Sequence, residues 1–147
     1  MEEKWTVTVR GKMGGLAQEM VTGGGRHQVV ADEPVGVGGT DEGPNPYDLL
    51  LMALGSCTSM TLILYAGRKG WGLEGVTVRL RHSRIHEIDS KSCDEKEVML
   101  DRIDREVELT GLLSEEQRAR LGEIADRCPV HRTLTSRIKI QTRVTLG

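Results

Sequence analysis

Residues 5–10 alternate, with Trp5, Val7 and Val9 on one side and Thr6, Thr8 and Arg10 on the other. A period of two marks a half-buried strand. Glycines within residues 11–15 make a turn, and residues 16–21 form a second candidate strand. Gly23, Gly24 and Gly25 break the chain again, and residues 27–31 read as a third strand. Short strands at this spacing predict an N-terminal meander. Further on, residues 76–82 alternate with Val76, Val78 and Leu80 inward and Thr77, Arg79 and Arg81 outward. Residues 90–97 are charged and suit a hairpin tip or loop, and residues 103–109 resume strand character. Ile138, Ile140, Val144 and Leu146 predict a final strand.

Between these strands the pattern changes. Residues 35–46 are rich in Gly and Pro and end in a helix start: Asn45 as N-cap, Pro46 at the first helical position and Asp48 at the third. The helix is expected to run to about Gly67, with Gly67 and Gly70 ending it and Arg68 and Lys69 complementing its negative end. Residues 49–66 carry no formal charge and are long enough to span a bilayer. Their middle, however, holds Gly55, Ser56, Cys57, Thr58, Ser59 and Thr61, so a buried central helix is expected and a membrane span is not. Ser114 caps a second helix with Gln117 completing a capping box, and Pro129 is expected to terminate it. Strands, long helix, strands, helix, strand is an α+β order, with helices packed on an antiparallel sheet. No linker divides it, so residues 1–147 are expected to form one domain.

Composition narrows the core and the partners. The chain has 147 residues, 37% apolar and without Phe, so Leu, Val, Ile and Met must fill the interior. A formal net charge of −2 offers no basic excess for nucleic acid or an anionic membrane. The first ten residues lack a basic start followed by an apolar run, so no secretory signal is read there. Three cysteines cannot all pair within one chain, and the expected compartment is the reducing cytoplasm.

Cys57 and Cys128 are the chemical candidates. By helical spacing Cys57 shares a face with Ala53, Met60, Thr61 and Leu64, and Cys128 follows Leu121 and Ile124. Two small hydrophobes in a core are the plainer reading. The neighbourhood argues otherwise. A core helix gains nothing from the small polar run at residues 55–59 unless space or hydrogen bonds are needed there. Cys128 is followed by Pro129, Val130, His131 and Arg132, a cationic and titratable setting that suits a reactive thiolate. Cys57 lies too far along its helix for the N-terminal dipole to act on it. Its partner cation must come from elsewhere.

The run Gly43-Pro44-Asn45-Pro46-Tyr47-Asp48-Leu49-Leu50-Leu51-Met52-Ala53-Leu54-Gly55-Ser56-Cys57-Thr58 resembles the signature helix of the osmotically inducible protein C and organic hydroperoxide resistance (OsmC/Ohr) family. Arg127-Cys128-Pro129-Val130-His131 is similar to that family's second cysteine motif. The resemblance implies an OsmC-like fold, an intertwined homodimer with sites at the subunit interface, and reduction of organic hydroperoxides and, to varying degrees, hydrogen peroxide. It implies that Cys57 attacks the peroxide, that Cys128 resolves the sulfenic acid as a disulfide, and that a small thiol or dithiol reduces the disulfide. No metal or other cofactor is implied. The family also holds its first thiolate with an arginine and a glutamate. Thr22-Gly23-Gly24-Gly25-Arg26 is similar to the turn carrying that arginine, which assigns the role to Arg26. The glutamate is missing: Tyr47 holds its place after Asn45-Pro46, with Asp48 next, as in a divergent OsmC-like branch. Part of the glutamate's work then falls to Asp48 or to the Tyr47 hydroxyl.

The departure at Tyr47 keeps an alternative open, a non-catalytic relative that binds an apolar small molecule at the same interface. Other candidates are weaker. Cys93, among Asp89, Lys91, Asp94, Glu95 and Lys96, reads as a solvated loop thiol. Cys128 and His131 have no further zinc-ligand set at metal spacing. His82 and His86 straddle an expected strand end and read as surface residues. Arg79, Arg81 and Arg84 form an outward stripe without interleaved aromatics, as on a solvated face. Gly23–Gly25 is not followed by a phosphate-loop pattern.

Overall fold

The computed structural model describes residues 5–89 and 96–147. Its elements run β1 (Val7–Arg10), β2 (Gln18–Thr22), β3 (His27–Ala31), α1 (Pro46–Lys69), β4 (Gly72–Asp89), β5 (Lys96–Leu112), α2 (Glu115–Ala125) and α3 (Pro129–Leu134). A 3-10 turn at Val35–Val37 interrupts the loop before α1. The α+β class and the antiparallel pairing are as expected, but the strands form two sheets, β1-β2-β3 and β4-β5. The chain divides into two compact units, one ending at Leu50 and the other beginning at Leu51.

In the first unit β2 pairs antiparallel with both neighbours, Met20 standing opposite Val9 on β1 and Val29 on β3. The β2–β3 turn needs three successive residues at positive φ, and Gly23, Gly24 and Gly25 supply them at 50°, 73° and 93°. Only glycine adopts such a run without steric cost. The Gly25 and Arg26 N–H groups both close on the Thr22 carbonyl, at 2.8 and 2.9 Å. The loop after β3 is organised by Asp32, which is 2% exposed and accepts the N–H groups of Glu33, Thr40 and Glu42 and the Thr40 hydroxyl. The Glu33 N–H, ahead of the other donors, holds its carboxyl below the ordinary aspartate range, against the effect of burial.

α1 begins as its sequence predicts. The Asn45 side chain accepts the Asp48 N–H at 2.8 Å, and the Asp48 carboxylate accepts the Asn45 N–H at 3.1 Å, a reciprocal cap. It ends two residues beyond the expected point. Gly70 takes a left-handed φ of 67° and the Trp71 N–H reaches back to the Ala66 carbonyl at 3.0 Å.

The core of the second unit gathers Leu62 and Ala66 of α1 with Leu121, Ile124 and Ala125 of α2, against Val76, Val107 and Leu109 of the β4-β5 ribbon. Past a bulge at Leu73–Gly75, the ribbon alternates from Val76 to Leu80. Val76 faces Leu109 and Val78 faces Val107 on one side, while Thr77 and Arg79 face Glu108 and Glu106 on the other. Arg79 donates to both glutamates, and Arg81 and Arg102 both bond Asp104. The arginine stripe is therefore interleaved with carboxylates, and exposed pairs of this kind add little stability. At Gly55 the helix passes so close to β4 that a Cβ there would lie 2.8 Å from the Leu80 side chain. α2 starts in the expected Ser114–Gln117 capping box. The Tyr65 hydroxyl accepts a hydrogen bond from Arg120 Nε at 3.1 Å, which ties α1 to α2 and, as the largest cause, lowers the Tyr65 pKa.

Four expectations are corrected. α1 is buried along one stripe, Leu54, Thr58, Leu62 and Ala66 at four-residue spacing, while Met52, Met60, Ile63 and Leu64 are exposed. An apolar helix buries only the faces its neighbours cover. β4 runs through His82 and His86 to Asp89, so neither lies at a strand end; His82 bonds Asp101 at 2.8 Å. Pro129 does not end α2, which stops at Ala125; it opens α3, where its missing N–H has no partner to lose. Ile138, Ile140, Val144 and Leu146 form no strand and are all exposed. Alternation makes a strand only where a sheet edge is at hand to pair it. The tip of the β4–β5 hairpin, with Cys93, lies outside the described residues.

Candidate thiol site

Cys128 is placed by the break between α2 and α3. It is the N-cap of α3, with extended backbone, and its sulfur accepts the His131 N–H at 3.3 Å. The side chain is fully buried. Its Sγ lies 3.7 Å from the hydroxyl of Thr58, itself fully buried on α1. That hydroxyl also lies 2.7 Å from the Leu54 carbonyl and 3.1 Å from Arg105 Nη1.

These partners fix the hydrogens. A hydroxyl has one proton and two lone pairs, and arginine only donates. The Leu54 carbonyl only accepts. Thr58 therefore gives its proton to Leu54 and receives from Arg105, leaving one lone pair for the Cys128 S–H. Every polar group around the thiol is satisfied in this arrangement, as burial requires.

Arg105 is the residue that sequence analysis missed. Ile103, Arg105, Val107 and Leu109 occupy the inward positions of β5, and Arg105 stands opposite Leu80. A cation in an otherwise apolar inward register was the available signal. Its side chain is 12% exposed and is held from three directions. Nη1 donates to Thr58, while Nη2 donates to Asp126 Oδ1 at 2.8 Å and to His131 Nδ1 at 3.1 Å. Since arginine cannot accept, Nδ1 of His131 does, which puts the ring proton on Nε2. A cavity of about 430 Å³ opens beside this cluster, lined by Leu54, Ile103, Arg105, Asp126, His131 and Leu134.

Cys57 immediately precedes Thr58 on α1 and is half-buried. The face assigned to it is the more open one, with Met60 and Leu64 exposed. Both Cys57 and Cys128 are free thiols. The small polar run now has a partial explanation: Gly55 makes room for Leu80, Thr58 joins the thiol cluster, and Ser56 only bonds back to the Ala53 carbonyl. The other two expected site residues belong to the first unit. Arg26 is exposed at the β2–β3 turn, its side chain against Gly23, and Asp48 is engaged in the α1 cap. Among the described residues no three His, Cys, Asp or Glu side chains gather as a metal ion would need.

The profile of OsmC-like proteins matches residues 39–143, a span that includes both cysteines. No curated protein sequence matches the chain. Solved structures do. A protein from Psychrobacter arcticus assigned to osmotic stress induction and detoxification superposes with a TM-score of 0.68 at 19% identity, covering 90% of either chain. An OsmC-like protein from Mycoplasma pneumoniae gives 0.67 at 21% identity, over 91% of this chain and 89% of that one. An organic hydroperoxide resistance protein from Legionella pneumophila gives 0.62 at 18% identity, over 91% and 92%. At such identities the likeness is one of fold.

Proposed function

The chain belongs to the OsmC-like protein family, and on that premise we propose that it is a thiol peroxidase that reduces organic hydroperoxides, and hydrogen peroxide as a secondary substrate. The observation that carries the reading is local: the Cys128 sulfur sits 3.7 Å from the hydroxyl of the residue that follows Cys57. Two free thiols on one compact unit, one half-open and one buried, suit a division of labour. The hydroperoxide resistance function of the Legionella neighbour points the same way.

The Cys57 thiolate attacks one peroxide oxygen, the O–O bond breaks, and an alcohol leaves with Cys57 as sulfenic acid. Cys128 attacks that sulfur, an S–S bond forms, the S–O bond breaks, and water leaves. A small thiol or dithiol then returns both sulfurs to thiols. Arg26, on its glycine turn, would favour the attacking thiolate and the charge developing on the leaving oxygen. The whole chain, residues 1–147, would act as one domain, in the cytoplasm, where reduced thiols persist.

A homodimer is part of the reading. Met52, Met60, Ile63 and Leu64 on α1 and the alternating Ile138, Ile140, Val144 and Leu146 are apolar and exposed. A second copy would bury both sets. Light scattering at micromolar concentration should give twice the 16.2 kDa chain mass; a clean monomer would remove the dimer.

The activity is tested by thiol titration of the reduced Cys93→Ser protein with stoichiometric cumene hydroperoxide. The expected loss is two thiols per peroxide consumed, with a Cys57–Cys128 disulfide in the peptide map. Full retention of free thiol would reject the peroxidase and leave the alternative, a relative that binds an apolar small molecule without turning it over.

A further inference from the structure

We propose that Arg105, acting through the Thr58 hydroxyl, is a positioning residue for Cys128 and sets how fast Cys128 closes its disulfide with Cys57. The proposal rests on the two-cysteine reading above and adds a device to it.

Arg105 does not touch the sulfur. It donates to Thr58 Oγ1 at 3.1 Å, and that oxygen is the atom 3.7 Å from Cys128 Sγ. The guanidinium is anchored at its other end by Asp126 and His131, so its Nη1 cannot swing away from the hydroxyl. The second hold on Sγ is the His131 N–H at 3.3 Å, and the same residue supplies Nδ1 to Arg105. Backbone and side chain of His131 thus couple the anchor of the arginine to the placement of the sulfur.

The proton arrangement shows how this acts in the reaction. While Cys128 is a thiol, its S–H points to Thr58 and the Thr58 proton points to Leu54. When the sulfur attacks the Cys57 sulfenic acid, its proton leaves with the sulfenic hydroxyl as water, and the S–H donor disappears. The Thr58 proton can then turn from the Leu54 carbonyl to the sulfur. The Arg105 bond occupies one lone pair of that oxygen, polarises the O–H and steers it towards the new anion. Among the described residues, a buried sulfur anion would otherwise have only the His131 N–H as a donor. Thr58 also directly follows Cys57, so the turn of helix that holds the attacking sulfur carries the sulfur under attack.

The closure step can be timed without peroxide. In the Cys93→Ser background, an aromatic disulfide that releases coloured thionitrobenzoate is added at one equivalent. Cys57, the more exposed thiol, becomes a mixed disulfide and releases one thionitrobenzoate. Cys128 then attacks the Cys57 sulfur, the Cys57–Cys128 bond forms, and a second thionitrobenzoate leaves in a unimolecular phase.

Thr58→Val, which keeps the shape and removes the hydroxyl, and Arg105→Met should each slow the second phase about 10-fold or more, as loss of a charge-assisted contact in a buried site predicts. Thr58→Ser should restore it. The double variant should be no slower than Thr58→Val alone, because the arginine acts through the hydroxyl. The proposal is overturned if Thr58→Val keeps the wild-type second phase, or if the double variant shows the product of the two single effects. Should Arg105→Met not fold, the Val and Ser variants at Thr58 decide alone. If the parent shows no faster second phase than its Cys128→Ser variant, the two-cysteine reading fails, and this proposal with it.

Discussion

Cys57→Ser should abolish peroxide consumption, while Cys128→Ser should retain a single stoichiometric turnover that ends in a trapped sulfenic acid. The asymmetry follows from the different surroundings of the two sulfurs. Cys57 is half-buried on the open face of α1, where a peroxide can reach it. Cys128 is fully buried and hydrogen-bonded from two sides, so a peroxide in solution has no direct approach to it. A hydroxyl in place of the Cys57 thiol is too weak a nucleophile to open an O–O bond, and among the described residues the other sulfur, Cys128, is fully buried. Removing Cys128 spares the first chemical step and deletes only its resolution, leaving the sulfenic acid open to further oxidation. Intact mass after dimedone trapping distinguishes the outcomes: one adduct per chain on Cys57 in Cys128→Ser, none in Cys57→Ser. Multiple turnover by Cys57→Ser would reverse or remove the assignment.

Much of this organisation was legible from the pattern of residues alone. Elements that carry their own local signals came out in place: the Asn45–Asp48 cap, the Ser114–Gln117 capping box and the glycine turn before Arg26 all depend on contacts between near neighbours in sequence. Elements that need a distant partner were harder. The period-two run from Ile138 to Leu146 has the form of a strand but pairs with none of the described strands. The uniform apolarity of α1 could not say which of its faces the β4-β5 ribbon and α2 would cover. Pro129 was read as a stop because the helix before it is strongly signalled, whereas the six-residue helix after it has almost no amphipathic pattern of its own.

The thiol cluster shows the same division. The two cysteines stood out by residue type and by family motif. Arg105 did not, because its significance lies in register. Read as part of the charged run Asp104-Arg105-Glu106 it looks like surface, but counted from Ile103 and Val107 it must face inward. A buried cation of that kind survives only with partners, and Thr58, Asp126 and His131 come from three separate stretches of chain. Alternation along β5 predicts the burial; only the fold identifies what satisfies it.

Tyr47 stands where the motif that the chain resembles carries its glutamate. The Asp48 carboxylate accepts the Asn45 N–H at 3.1 Å, completing a reciprocal cap with the Asn45 side chain. A carboxylate committed to the first turn of a helix is poorly placed to orient an arginine as well, and a tyrosine hydroxyl in the glutamate's place lacks the two oxygens that receive a guanidinium fork. The hypothesis is that Arg26 serves the Cys57 thiolate but is held less firmly than where an acidic residue follows Asn-Pro. Tyr47→Glu introduces that carboxylate at the second helical position, where negative charge also suits the helix dipole, so the fold should accept it. Oxidation of Cys57 by cumene hydroperoxide should then speed up roughly tenfold, the scale of one charge-assisted bond. Arg26→Ala should slow it about 100-fold, the scale on which an oxyanion donor acts. In the Arg26→Ala background Tyr47→Glu should give no gain, because the new carboxylate then has no arginine to hold. Second-order rates for the two single variants and the double variant decide the matter. Unchanged rates in both single variants would show that neither residue serves this thiol. A gain from Tyr47→Glu that persists without Arg26 would mean that the carboxylate acts by another route.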